Sequence, residues 1–417
     1  MYYYRQGGTW QKGSPRRQTD GQFQTASSGG STASAGGSGG GFDWDQTHAD
    51  TSWVTDADAN DNLNVEVVSE LSADAFMNAV DAGGSTPTLV VFEVGGVIDC
   101  GGDFLRPSTD NVYIAGQTAP YPGITFIRGG LRPECDNFIM EHVSIFCGND
   151  TDSPGSMSAL GIDDGNQDHL YNHCTFAWGT DETVTFYDNA DNCAVINSIN
   201  AEALNDSDHP EAPHGYALLL KPGTGTHTYA GNLHPHNWAR NPRPNDGSLW
   251  MVNNYFWNWG KRIVHGSDDD LELDMIGNVI ESGPDTNADK GIFDSNPGTV
   301  YAESNDLIPD DTPLGDDEID YVDSPMNKPA GISESELFAP SELESVLAGS
   351  AGPRPANRSP HEKRIVEDFV ARDGGIIDNE SDVGGYPDYS SQTRSLSAPD
   401  SGVLSWLSQY TDQVTVA

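Results

Sequence analysis

Apolar and polar positions change rhythm several times along the chain. Residues 1 to about 55 show no period at all, and the run from Ser27 to Gly41 is nearly all Gly, Ser, Ala and Thr. Such a segment cannot bury enough apolar surface to offset chain entropy, so residues 1–55 are expected to be a disordered Gly/Ser-rich linker or leader remnant. Residues 69 to 82 then read as one amphipathic helix. Ser72 can cap it, Asp74 lies in its first turn, and Leu71, Ala75, Phe76, Ala79 and Val80 share a face before Gly83-Gly84 ends it. That face must cover something, and the open end of a sheet fits. From Thr88 the rhythm becomes that of short strands: LVVFEVGGVI, NVYIAG, GITFIRGG, NFIMEHVSIF, HLYNHCTFAW, NCAVINSI, GYALLLK, SLWMVNNYFWNW and LELDMIGNVI. Gly-rich and Asp-rich turns separate them, and helical periodicity is absent from 89 to about 283. Residues 284 to 345 are acidic and aperiodic, as loops would be; 360 to 372 form a short helix ended by Gly374-Gly375; the chain after Tyr389 is expected to be loosely held.

The strands share a phase. NFIMEHVSIF and DHLYNHCTFAW align with His142 over His173. Asn then recurs at 172, 197, 232, 254 and 278, at intervals of 25, 35, 22 and 24 residues. A period in the low twenties is the mark of a solenoid, in which Asn side chains of successive coils stack and bond along the axis. The long interval holds an inserted loop, NDSDHPEAPHG. A β-sandwich is the competing architecture, but Asn-Gly hairpin turns are missing. The expectation is an all-β solenoid of parallel coils over residues 56–390, with 391–417 a loosely packed tail.

Charge changes the picture next. Asp and Glu number 64 against 20 Lys and Arg, a net charge of -44. The acids are spread along the chain, in clusters such as Asp268-Asp269-Asp270 and Asp316-Asp317-Glu318. So acidic a protein repels itself in dilute salt, while molar salt shortens the Debye length to about 3 Å. Salt adaptation follows, and nucleic acid is excluded as a partner because no basic stripe faces its phosphates. No apolar run is long enough to cross a bilayer. Arg16-Arg17 is a twin arginine without the apolar stretch of an export signal after it. The cysteines Cys100, Cys135, Cys147, Cys174 and Cys193 form no CxxC pair and read as small buried residues, with one bridge conceivable.

Against that charge, two closely spaced cations stand out: Arg240 and Arg243, in the stretch Asn232–Arg243. Surface ion pairing is one reading; a specific anionic ligand is the other. His209, His214, His227, His234 and His236 fall nearby, but their spacing matches no zinc motif, and hydrogen-bonding roles in loops and coils suit them. Trp238, Trp257 and Trp259 suit either stacking on sugar rings or stacking inside the solenoid.

In chain order, IAGQTAP and GITFIRGG (114–130), HCTFAWGTDET (173–183), INAEALN (199–205), HGYALL (214–219), NWARNPR (237–243), VNNYFWNWG (252–260) and AGPRPANRSPHEKRIVEDFVARDGGIIDNESDVGGYP (351–387) together resemble polysaccharide lyase family one, the pectate lyases. The resemblance spans about residues 64 to 387. It implies a right-handed single-stranded parallel β-helix with an N-terminal capping helix like 72–82, and calcium-assisted β-elimination on α-1,4-linked polygalacturonate. By resemblance Arg240 occupies the position of the catalytic base, Arg243, Lys221 and His214 bind substrate, and Asp181, Glu182 and Asn172 hold Ca2+. Asn172 stands where relatives carry Asp, so it brings an oxygen but no charge, and Glu211 stands where relatives often carry Lys.

Other functions remain open to the residues alone. Hydrolysis needs paired carboxylates, for which Asp163-Asp164 and Asp181-Glu182 are candidates. A non-catalytic uronate-polysaccharide-binding protein would explain Asn172 and Glu211 as lost function. The reading taken here is a secreted, salt-adapted, monomeric lyase acting on an acidic polysaccharide, with no membrane partner.

Overall fold

The computed structural model describes residues 2–6, 9–13, 41–163, 165–187, 189–221, 223–245, 247–266, 271–287, 291–294, 298–310, 312, 314, 319–330, 332 and 336–415. The Gly/Ser-rich stretch 14–40 and most of the acidic clusters named above lie outside the described residues.

A left-handed residue at the corner sends the chain from one sheet into the next rather than back on itself, so each run pairs with the equivalent run one coil on. The result is a parallel β-solenoid. One sheet has eleven parallel strands, from Asn64–Val68 to Asp320–Tyr321. A second, of twelve strands, runs in parallel from Val94–Asp99 to Asn305–Ile308 and is extended by antiparallel strands at both ends. The third is shorter, six strands from Phe104–Leu105 to Arg243–Pro244.

Register follows the corner residues. Glu141 pairs with Asn172, which stacks the His142 and His173 rings at 4.9 Å and 4°. Both histidines have positive φ (+55° and +50°), and so do the residues that succeed them at this corner: Asn197, Gly231, Asn253, Gly277 and Ser304. A left-handed residue turns the chain sharply from one sheet to the next, and polar or glycine residues tolerate it best. One position further on is the amide ladder. Ser198 N donates to Asn232 Oδ1 (2.8 Å), Asn232 N to Asn254 Oδ1 (3.0 Å), Asn254 N to Asn278 Oδ1 (2.9 Å) and Asn278 N to Asn305 Oδ1 (2.9 Å). The expected column therefore needs correction. Asn197 belongs to the left-handed corner, Asn172 to the preceding strand, and Asn305 completes the true ladder.

Among the described residues, five α-helices decorate the coils: α1 (Ser52–Ala59), α2 (Ala73–Asp81), α3 (Pro340–Ser350), α4 (Pro360–Ala371) and α5 (Val403–Val414). In α2 the Ser72 hydroxyl accepts from Ala75 N, and Phe76 packs against Phe126 with ring centroids 4.9 Å apart, so this helix closes the first coils. Helices α3 and α4 lay Leu343, Leu347, Ile365 and Phe369 on the outer face of the twelve-stranded sheet, against Ile199, Leu233 and Tyr255. α1 and α5 do the same for the eleven-stranded sheet, where Val54, Leu404 and Leu407 meet Leu89, Tyr113 and Ile139.

Several expectations fail here. Residues 42–55 are not loose: Phe42 and Trp44 are buried, Asn197 holds both the N–H and the carbonyl of Phe42, and Trp44 Nε1 donates to Glu141 at 2.9 Å. Nor is the C-terminal end a loose tail, because Val403, Leu404, Leu407, Thr411 and Val414 are buried along α5. The segment 284–345 contains solenoid strands Thr299–Glu303 and Asn305–Ile308 and the start of α3. All five cysteines are buried and free, so no bridge forms. No described helix is long and apolar enough to cross a membrane.

Candidate active site

The six-stranded sheet lines up residues from three successive coils. Glu182 opens the strand Glu182–Phe186 and pairs in register with Tyr216, which opens Tyr216–Leu220 and is bridged in turn to Ala239. Arg240 follows, its carbonyl accepting from Leu218 N at 2.8 Å, and Arg243 pairs with Leu219. Two glycines make this approach possible. A Cβ on Gly179 would lie 2.5 Å from Thr183 Cα, and one on Gly215 would lie 2.9 Å from Asn205 Cα. Arg240 itself sits at φ +55°, a conformation unfavourable for its residue type.

The side chains converge. Arg240 Nη1 makes an ion pair with Glu182 Oε1, and the guanidinium carbon lies 3.9 Å from the centroid of the Tyr216 ring. Glu182 is only 2% exposed, and burial, followed by the negative charge of Asp181, pushes its carboxyl up to about 7 even though Arg240 works the other way. Burial also acts to raise Asp181, but hydrogen bonds from His214 and Glu182 outweigh it, and the net direction is down. His214 Nε2 lies 3.1 Å from Asp181 Oδ1, and the His209 ring stacks on that of His214 at 3.9 Å.

Beside this pair lies a group of cations. Burial, then Arg240, lowers Arg243; burial also lowers Arg262, which is paired with Asp294. His265 is pushed down to about 3, first by burial and then by Arg262, Arg243, Arg240 and Lys261. The Nε atoms of Arg240, Arg243 and Arg262 are buried without a hydrogen-bond partner among the described residues. In a chain with 20 Lys and Arg against 64 acids, such a gathering carries a large desolvation and repulsion cost. An anionic ligand would relieve it.

Most of the residues singled out from the sequence meet here: Arg240, Arg243, Asp181, Glu182 and His214. Asn172 does not and is corrected. It ends the strand His169–Asn172 on the eleven-stranded sheet, where its amide donates to Glu141 at 2.6 Å and accepts from Asn197 at 2.8 Å. Both ends of that amide are committed to structure. Lys221 follows the strand Tyr216–Leu220 and donates its main-chain N–H to Phe186. Glu211 is exposed in the inserted loop. Of the acid pair considered for hydrolysis, Asp163 is ion-paired to Arg132 and Asp164 lies outside the described residues. Trp257 and Trp259 are buried, and His227 and His234 are core residues, whereas Trp238 is partly exposed against Gly260.

Tyr216, Arg262 and His265 were missed. Tyr216 lies inside the quoted motif HGYALL, and Arg262 and His265 stand in KRIVHG, directly after VNNYFWNWG. The scarcity of cations that drew attention to Arg240 would have found Arg262 as well.

No family model matches the chain. It is 29% identical over 352 residues to a probable pectate lyase C of Aspergillus flavus, covering 81% of each chain. Its likeness to a probable pectate lyase C of Aspergillus oryzae is 28% over 352 residues, again 81% of each. Among solved structures, a pectate lyase from Bacillus sp. N165 in complex with trigalacturonate superposes with a TM-score of 0.50 at 15% identity, over 70% of this chain and 94% of that one, and so shares the fold. These relatives and this shared solenoid support assigning the chain to the pectate lyases, which are polysaccharide lyases.

Proposed function

We propose that the chain cleaves polygalacturonate by calcium-assisted β-elimination, with Arg240 as the base. The observation that carries this reading is the contact of Arg240 with the buried Glu182 inside a cluster of cations, in a protein that is otherwise strongly acidic. In the reaction the C5 proton passes to Arg240, a C4–C5 double bond forms and the C4–O bond breaks, the leaving oxygen taking up a proton. A guanidinium ordinarily stays protonated up to about pH 12, so a base of this kind needs like charge beside it. Arg243 and Arg262 supply that charge and hold substrate carboxylates.

The residues fit calcium. Asp181 and Glu182 are adjacent carboxylates in a site where burial and the neighbouring charge of Asp181 push the Glu182 carboxyl up to about 7, the behaviour of an oxygen pair that a hard dication would relieve. Asp181 and Glu182 would hold it. Bound calcium would spread the charge that builds on the uronate as C5 loses its proton. Glu182 engaged in that way would no longer hold Arg240 in its ion pair.

The same reading includes a secreted enzyme adapted to salt, acting as a monomer. High ionic strength screens the repulsion between a polyanionic enzyme and a polyanionic substrate, while the buried Arg cluster, less accessible to counterions, still acts at short range. Lyase turnover on polygalacturonate, read as ultraviolet-absorbing unsaturated ends, tests the proposal. Reducing ends without that absorbance would mean hydrolysis; neither product would mean binding alone.

A further inference from the structure

The inserted loop that lengthens one coil brings two histidines to Asp181. Asp181, His209 and His214 each offer one ligand atom, and these lie within 4.8 Å of one another. We propose that this triad is a binding site for a borderline divalent transition metal of the zinc class, additional to the calcium reading of the groove and not dependent on it. The donor set argues for the metal class. Two imidazole nitrogens and one carboxylate oxygen suit zinc and its neighbours, whereas calcium prefers oxygens throughout. Three protein ligands leave an open position, as in zinc sites that take a water or an external ligand.

The geometry is partly formed. His214 Nε2 and Asp181 Oδ1 are already 3.1 Å apart, close to the roughly 3.3 Å between neighbouring ligands on a tetrahedral zinc with bonds of about 2.0–2.1 Å. Only His209 must move inward. Its backbone belongs to the turns between the strands Ile199–Ala201 and Tyr216–Leu220, so no strand register has to change. Its Nδ1 accepts the Glu211 main-chain N–H at 2.9 Å and the ring also hydrogen-bonds the Gly155 backbone, contacts with which a metal would compete. Stacking of His209 on His214 keeps the two rings together before any metal arrives. Glu182, adjacent to Asp181 in sequence, adds a further carboxylate beside the triad.

Because Asp181 is shared, zinc and calcium should compete. The site is tested on the full chain by equilibrium dialysis against Zn2+, with metal counted per protein and no substrate present. The expected result is one zinc per chain, weakened at least about tenfold in His209→Gln, since even the loss of a group that merely supports a metal ligand commonly costs about 10–100-fold. Substituting Co2+ gives a second reading, a visible absorption band from nitrogen–oxygen coordination that His209→Gln should remove. Zinc that fails to bind, or that binds equally to the wild type and to a folded His209→Gln, overturns the proposal. Neither outcome touches the lyase reading, which stands or falls on unsaturated product.

Discussion

Arg240 and Glu182 meet across the six-stranded sheet, fifty-eight residues apart in sequence, with the Tyr216 ring 3.9 Å from the guanidinium on the coil between them. A charge pair this deep is costly to assemble and more costly to break by halves, because the survivor is left buried and alone. Truncating one partner is therefore informative in two ways, through activity and through stability.

Glu182 makes the stability of the protein depend on pH in a particular direction. Its folded carboxyl is raised to about 7 from 4.5, so the folded state binds the proton more tightly than the unfolded chain. The stability that this proton supplies is fully present below pH 4.5 and is lost as pH rises through about 7. Denaturant unfolding of wild type compared with Glu182→Gln should isolate a loss on the order of 3 kcal/mol over that window. Added calcium at pH 8 should restore stability to the wild type and not to the variant. A difference between the two proteins that is flat with pH would contradict the assignment.

The amide ladder carries a separate expectation. Asn254 Oδ1 accepts from Asn232 N, while its Nδ2 donates to Tyr229 O and to Asn278 Oδ1. Asn254→Ala leaves buried donors and acceptors on both neighbouring coils without partners, which costs about 1–3 kcal/mol for each group. Unfolding monitored by circular dichroism should show a large loss for Asn254→Ala and a much smaller one for Asn60→Ala on the exposed end of α1.

The C-terminal helix gives a third test. Leu407 is fully buried between α5 and the eleven-stranded sheet. Leu407→Ala should destabilise the protein by about 2–5 kcal/mol, as large-to-small changes in a packed core do. No change in the unfolding midpoint would return this segment to the loose tail that the sequence suggested.

Salt supplies a fourth. With a net charge of -44, the folded chain should gain stability as potassium chloride rises from 0.1 to 2 M, when the Debye length falls from about 10 Å to about 2–3 Å. Thermal unfolding across that range checks it, and a midpoint that falls with salt would contradict salt adaptation.

Much of this architecture was legible in the sequence, and the physical reason is repetition. A parallel coil imposes the same corner on every turn, so left-handed positions collect His, Asn and Gly at a readable interval, and His142 over His173 could be aligned from letters alone. The expected column is right at Asn232, Asn254 and Asn278 and out of phase at Asn172 and Asn197, because two adjacent columns both favour Asn. Asn197 and Asn253 serve the corner, while Asn232, Asn254 and Asn278 bond along the axis. The outer helices were harder. α5 carries apolar residues at Val403, Leu404, Leu407 and Val414, a helical spacing, but it follows a Ser- and Pro-rich stretch that reads as a frayed end. Trp44 gave no periodic signal, since a single aromatic in an aperiodic arm anchors by its indole N–H on Glu141 and not by a repeating face. The candidate site was half visible. Arg240 and Arg243 share a motif, whereas Arg262 and His265 reach them only because the next coil returns to the same edge.

The measurement that bears most directly on the account is turnover of polygalacturonate with calcium present, followed by the absorbance of unsaturated ends, in wild type and in Arg240→Lys. Lysine keeps the positive charge but loses the planar fork, so a folded Arg240→Lys should lose about 10²–10⁴-fold in kcat, the usual worth of a positioned general base. Wild type that makes unsaturated product only with calcium, and Arg240→Lys that makes almost none, is the predicted result. Equal turnover by the two proteins would remove Arg240 from the chemistry and contradict the central claim.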